Sequence, residues 1–187
     1  MANKWETLSK FVTINSPWMT LIGEKIKDHQ GKILDYWRVE KDDSVIIITI
    51  DNNQLLFPLS IFRPGVGKVT LDFPGGRIQK QQNLQEVAVA ILERELGLKE
   101  SDLDSLTPIN HTGWEINSSF SNQKLYGFVA EIKPNIQLNS NLVGASYSLN
   151  AEGLNNLLKE LTCVQCRGLL LEWLRTIDNQ RLQLRSS

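Results

Sequence analysis

Blocks of apolar residues broken by acidic and amide residues mark the N-terminal part of the chain. Lys32–Glu40, Val45–Ile50 and Gln54–Phe62 are rich in Val, Ile and aromatic residues. Asp42-Asp43 and Asp51-Asn52-Asn53 punctuate them, which predicts strands joined by turns. Val69–Phe73 reads as a further short strand that stops at Pro74-Gly75-Gly76. From Asn83 the pattern changes. Leu84, Val87, Ala88, Ile91, Leu92 and Glu95 recur with a period of about 3.6 residues, which predicts a helix. Asn83 suits its N-cap, Glu86 completes a capping-box pattern, and Gly97 suits the left-handed residue that ends it. Further strands are predicted at Leu106–Trp114, Lys124–Ile132 and Ala145–Leu149, with helices at Ala151–Leu161 and Cys163–Ile177. Strands first, then a mixture, then helices: the order predicts an α+β fold, or a sheet sandwiched between helices. No repeat or low-complexity linker interrupts the chain, so residues 1–187 read as one domain.

Composition narrows the function classes. Hydrophobic residues make up 41% and charged residues 22%, which is globular and far from disorder. The net charge of −1 supplies no strong attraction to nucleic acid or to an anionic membrane, so neither is expected as a partner. Val45–Ile50, the longest strongly apolar run, is too short to span a bilayer, and the first residues lack the basic and apolar blocks of a secretory signal. With only Cys163 and Cys166 available for oxidation, a reducing cytoplasm is the expected location. The Cys-x-x-Cys spacing has the form of a redox or zinc motif. With no second cysteine pair, and at a predicted helix start, the two are read as structural. His29 and His111 stand far apart, and Pro64-Gly65-Val66-Gly67-Lys68 lacks the spacing of a phosphate-binding P-loop.

The segment FPGGRIQKQQNLQEVAVAILERELGL, Phe73 to Leu98, resembles the Nudix box of the nucleoside-diphosphate hydrolases. That pattern opens with glycine, places a glutamate six residues later, then an Arg-Glu pair, a Glu-Glu pair, a glycine and an aliphatic residue. With Gly97-Leu98 at its end, Gly76 falls at its start without a gap, and Leu92 and Glu95 match as well. Gln82 stands for the first glutamate, Ala90 for the arginine, Ile91 for its glutamate partner and Arg94 for the first glutamate of the last pair. Outside the box, WETLSK and INSPWMTL resemble the N-terminal segment of the ADP-ribose pyrophosphatase branch. IFRPGVGKVTLDFPGG is similar to that branch's strand, arginine and loop, and SFSNQKLYGFVAEI to its later strand. The resemblance spans nearly the whole chain. It implies a Nudix α/β/α sandwich with an N-terminal strand-rich extension, and a homodimer to which residues 1–40 contribute.

By the same resemblance, hydrolysis requires Mg²⁺ or Mn²⁺ held by glutamates at positions 91, 94 and 95, which share a helix face. This chain has Ile91, Arg94 and Glu95 there, leaving Glu95 and the backbone carbonyl near Gly76 as metal ligands. The loop Pro134–Ala151, where the branch keeps a water-activating glutamate, contains no Asp or Glu. Loss of a general base alone typically costs ~10²–10⁴-fold. Binding groups persist. Gly75 and Gly76 permit close approach to phosphate, and Arg63 matches the arginine that contacts substrate phosphates. Trp18 matches a position that stacks on the nucleobase, with Tyr36 or Trp37 as its partner. In the plainer alternative, Arg63 is a strand-end charge and the aromatics are packing residues. Three functions are compatible with these residues. The expectation carried forward is a binder of a nucleotide or nucleotide sugar with little or no hydrolysis. The second is a working, metal-dependent nucleoside-diphosphate-sugar hydrolase whose rearranged site recruits Glu86, Glu93 or Glu115. The third is a structural homodimer without ligand.

Overall fold

The computed structural model describes residues 4–79 and 82–184, with side chains through residue 177. Twelve strands and three helices occur among them. In chain order they are β1 (Glu6–Asn15), β2 (Thr20–Lys27), β3 (Ile33–Glu40), β4 (Ser44–Asp51), β5 (Gln54–Pro58), β6 (Ile61–Arg63), β7 (Lys68–Thr70) and β8 (Gly75–Arg77). Then come α1 (Leu84–Leu96), β9 (Leu103–Pro108), β10 (Trp114–Glu115), β11 (Lys124–Ile132), β12 (Val143–Ser148), α2 (Ala151–Glu160) and α3 (Val164–Leu184). By contacts the chain divides into two compact units, one of residues 4–43 and 115–124, the other of residues 44–114 and 125–184.

The first unit is an antiparallel sheet, β1-β2-β3. β1 carries two register shifts against β2, which leave Leu8 and Phe11 as extra residues. Glu24 on β2 is buried, and its Oε1 accepts a hydrogen bond from Arg38 Nε at 2.8 Å. Residues 115–124 are tied to the end of β3: Val39 N donates to Phe120 O at 2.8 Å, and Lys41 N to Asn122 Oδ1 at 2.9 Å.

The second unit is organised by the parallel pair β4 and β11, with Ile47 beside Phe128 and Ile46 beside Gly127. β5 and β12 extend the sheet beyond β4, β8 pairs with the first residues of β4, and β9 pairs with β11. A parallel pair needs a crossover, and such strands bury both faces. On one face Val45, Ile47, Phe128 and Ala130 pack against Val87, Ala88, Ile91, Leu92 and Leu96 of α1. On the other face α3 approaches closely. A Cβ added to Gly127 would lie 2.2 Å from Leu169 Cδ2, so any larger residue there must displace Leu169. The sandwich of helix, sheet and helix expected from the sequence is formed.

Some boundaries differ from expectation. The strand predicted at Val69–Phe73 is paired only as Lys68–Thr70, against β6. Gln54–Phe62 divides into β5 and β6 just after Pro58, which has no N–H to donate to a ladder. The strand expected at Leu106–Trp114 begins earlier and ends at Pro108. β1 and β2 precede the first predicted strand. β1 is almost wholly exposed, so it carries no buried/exposed alternation to read.

Candidate functional site

The glycine loop is held by the sheet. Val45 pairs with Gly76 and Ile46 with Gly75, and Ile47 N donates to Pro74 O at 2.9 Å. α1 then starts where the sequence places it. Asn83 Oδ1 accepts from Gln85 N at 2.8 Å and from Glu86 N at 3.4 Å. It ends at Gly97, whose φ of 71° is the left-handed conformation, with Gly97 N donating to Glu93 O at 3.1 Å. Loop and helix are thus each fixed by backbone pairing and by caps at both ends of α1.

Those side chains are arranged differently from a metal cluster. Ile91 is 2% exposed and belongs to the core beneath the loop. Its Cδ1 lies 3.0 Å from where a Cβ on Gly76 would stand. Position 91 is therefore a packing position in this chain. Arg94 turns inward to the loop. Its Nη2 donates to Gly75 O at 3.1 Å and to Glu95 Oε1 at 2.6 Å, while Glu95 Oε2 accepts from Gly75 N at 3.1 Å. Glu95, one of the two groups left as metal ligands, is bonded to a guanidinium, and so is the carbonyl of Gly75, next to Gly76. A dication beside the guanidinium would be repelled by about a few kcal/mol at an effective dielectric near 20, reduced by the exposure of Arg94. With Arg94 in this position, the residues present do not fit Mg²⁺ or Mn²⁺.

The other candidates separate into distinct places. Gln82 is exposed, and its Oε1 accepts from Gln79 N at 2.9 Å. Glu86 and Glu93 line a shallow hollow with Ala90 and Glu100, while Glu95 opens on another cavity. The carboxylate-free loop does reach the cavity beside Glu95, but it contributes Leu142. Arg63, at the end of β6, bonds Asp72 Oδ2 through Nε at 3.0 Å and Nη2 at 2.9 Å, and Thr70 Oγ1 donates to the same oxygen at 2.8 Å. A guanidinium has five N–H donors, so Arg63 keeps capacity for an anion. Trp18, Tyr36 and Trp37 belong to the first unit. Trp18 is 69% exposed, the Tyr36 hydroxyl donates to Ser119 O, and Trp37 meets Phe11 edge to face at 5.4 Å.

A cavity of about 740 Å³ lies in the second unit, lined in part by Arg63, Asp72, Gly75, Gly76, Cys163 and Cys166. Ligand atoms of Asp72, Cys163 and Cys166 all lie within 4.8 Å of one another. The Cys-x-x-Cys spacing hinted at this cluster. Asp72, some ninety positions earlier in the chain, could not be joined to it from the sequence.

No protein-family model and no curated protein matches the chain. Among solved structures it is similar to a crystal structure of an ADP compounds hydrolase, with a TM-score of 0.75 at 18% identity. The match covers 95% of this chain and 96% of that one. At that identity the likeness shows the fold, which is a Nudix-like α/β/α sandwich.

Proposed function

We propose that the chain binds a nucleoside diphosphate derivative of the nucleotide-sugar class and hydrolyses it little or not at all. One observation carries this reading: Arg94 is hydrogen-bonded to both Gly75 O and Glu95. A cation fixed at that place can face a diphosphate, but it cannot polarise a water to hydroxide as a bound dication does. Gly75 and Gly76 give the backbone close approach, and Arg63 lines the same cavity as these two glycines. The ligand class is supported by the resemblance and by the likeness to an ADP compounds hydrolase, not by any side chain that reads a base. In this reading the protein is a homodimer, with Trp5, Leu8, Phe11 and Ile14 as the exposed apolar surface in or next to β1.

The test is thermal unfolding with ADP-ribose and related nucleotide sugars, in Mg²⁺ and in chelator. A ligand raises apparent stability by mass action. The expected result is the same upward shift in both solutions, with no product formed. A shift that needs metal and is accompanied by turnover identifies the hydrolase. No shift with any compound identifies the structural reading.

A further inference from the structure

We propose that Cys163 and Cys166 form a thiol–disulfide exchange site on the cavity wall, in which Cys163 attacks a small-molecule disulfide and Cys166 resolves the adduct. The site stands on its own geometry and does not depend on the nucleotide reading.

Both residues lie in one helical turn. α3 begins at Val164, and Arg167 N donates to Cys163 O at 2.9 Å, closing that first turn around them. Bridged cysteines have Cβ atoms about 3.5–4.5 Å apart, closer than the roughly 5–6 Å of residues three apart within a helix. Cys163 stands just before the first residue of α3, so the bond can close by adjustment of the residue that enters the helix, without unwinding α3. Both thiols are free in this structure.

The two sulfurs are unequal. Cys163 is half-buried and Cys166 is 1% exposed, and both line the cavity. A disulfide entering from solvent meets Cys163 first. The Cys166 thiol donates a hydrogen bond to Cys163 and, with the Cys166 and Gln165 amides, lowers its pKa to about 6 despite burial and Asp72. The same hydrogen bond, then burial, raises the Cys166 thiol. At neutral pH one partner is a thiolate and the other a protonated thiol, the division of labour that exchange requires.

The reaction balances without a metal. The Cys163 thiolate attacks one sulfur of R–S–S–R, forming Cys163–S–S–R and releasing R–S⁻. With the Cys163 charge gone, the main influence holding the Cys166 proton is gone too. That proton passes to the Asp72 carboxylate, within 4.8 Å of both sulfurs. The Cys166 thiolate attacks Cys163 Sγ and the second R–S⁻ leaves; one released thiolate takes the proton held by Asp72 and the other takes from solvent the proton that Cys163 had given up. The chain is oxidised by two electrons and the small disulfide is reduced. A dication held by the same three residues is the weaker alternative, because Asp72 Oδ2 is already engaged by Arg63 and Thr70.

The experiment exposes the reduced full-length chain to excess oxidised glutathione, quenches with acid over time, and maps adducts by mass spectrometry. The wild type should pass through an adduct on Cys163 to the internal disulfide. Cys166→Ser and Cys166→Ala, checked for folding by circular dichroism, should stall with glutathione on Cys163. Cys163→Ser should form any adduct at least about tenfold more slowly. First attack at Cys166, or equal reactivity of the two thiols, would overturn the proposal. So would stoichiometric Zn²⁺ binding that protects both thiols and is lost in Asp72→Asn. The first adduct on the wild type decides the order of attack even if a variant fails to fold.

Discussion

Arg94 and Glu95, consecutive on the last turn of α1, converge on the same residue: Nη2 of one bonds Gly75 O and Oε2 of the other accepts from Gly75 N. Their own contact at 2.6 Å closes the ring. Arg94 is largely exposed, and an exposed ion pair contributes about 1 kcal/mol or less to stability. The ring matters for what the loop can accept rather than for holding the fold.

Replacing Arg94 should change metal affinity with little change in stability. Arg94→Glu removes the guanidinium and sets two carboxylates beside the Gly75 carbonyl, an oxygen set suited to Mg²⁺. Isothermal titration with Mg²⁺ should show weak new binding in the variant and none in the parent. Equal binding by both proteins would mean that Arg94 does not block the site.

Restoring a glutamate at position 91 should instead damage the fold. Ile91 packs under Gly76 with almost no exposure, so a carboxylate there is buried without a partner. Ile91→Glu is expected to cost about 3–5 kcal/mol in chemical denaturation, against about 0.5–1.5 for Ile91→Val. A cost near that of Ile91→Val would show that the side chain can turn out to solvent.

Alkylation of Cys163 should have an unusual pH profile. Its pKa of about 6 means that reaction with iodoacetamide rises through pH 6 and is level by neutrality. An ordinary thiol keeps gaining reactivity to about pH 8.5. Loss of the Cys166 hydrogen bond in Cys166→Ala should move the midpoint upward. A midpoint near the ordinary value in the wild type would contradict the hydrogen-bonded arrangement.

Deleting residues 1–16 removes β1 and uncovers an edge of β2. Light scattering should report a homodimer for the full chain and monomer or insoluble protein for the truncation. A well-folded dimer after the deletion would place the interface elsewhere.

Gly127→Ala should destabilise by about 1–3 kcal/mol, because the new methyl group would overlap fully buried Leu169. Leu169→Val in the same chain should recover part of that loss. An additive double mutant would show that α3 moves away as a body.

The sequence makes the loop-helix legible because its signals are local. Asn83, Gly97 and the apolar period act within a few residues, and each behaves as its chemistry requires. The same period also identifies Ile91 as an inward position, which outweighs its alignment with a glutamate. The direction of Arg94 is not local. It depends on a carbonyl nineteen residues away, brought close by the pairing of β8 with β4. Asp72 joins the cysteines only through tertiary packing. The spacing of Cys163 and Cys166 gives no sign that a carboxylate is their third neighbour. β1 is legible only as part of the strand-rich extension that the resemblance implies, since a strand exposed along nearly its whole length has no alternation to detect.

The strap of residues 115–124 has a consequence for synthesis. Lys41 bonds Asn122, 81 positions later. At ~5–20 residues per second, a ribosome adds that length in roughly 4–16 s. Through that interval β3 has emerged without the segment that satisfies its end. A nascent chain thus carries a sheet whose last strand has its Val39 and Lys41 amides open to water, or to another nascent chain, until the strap arrives.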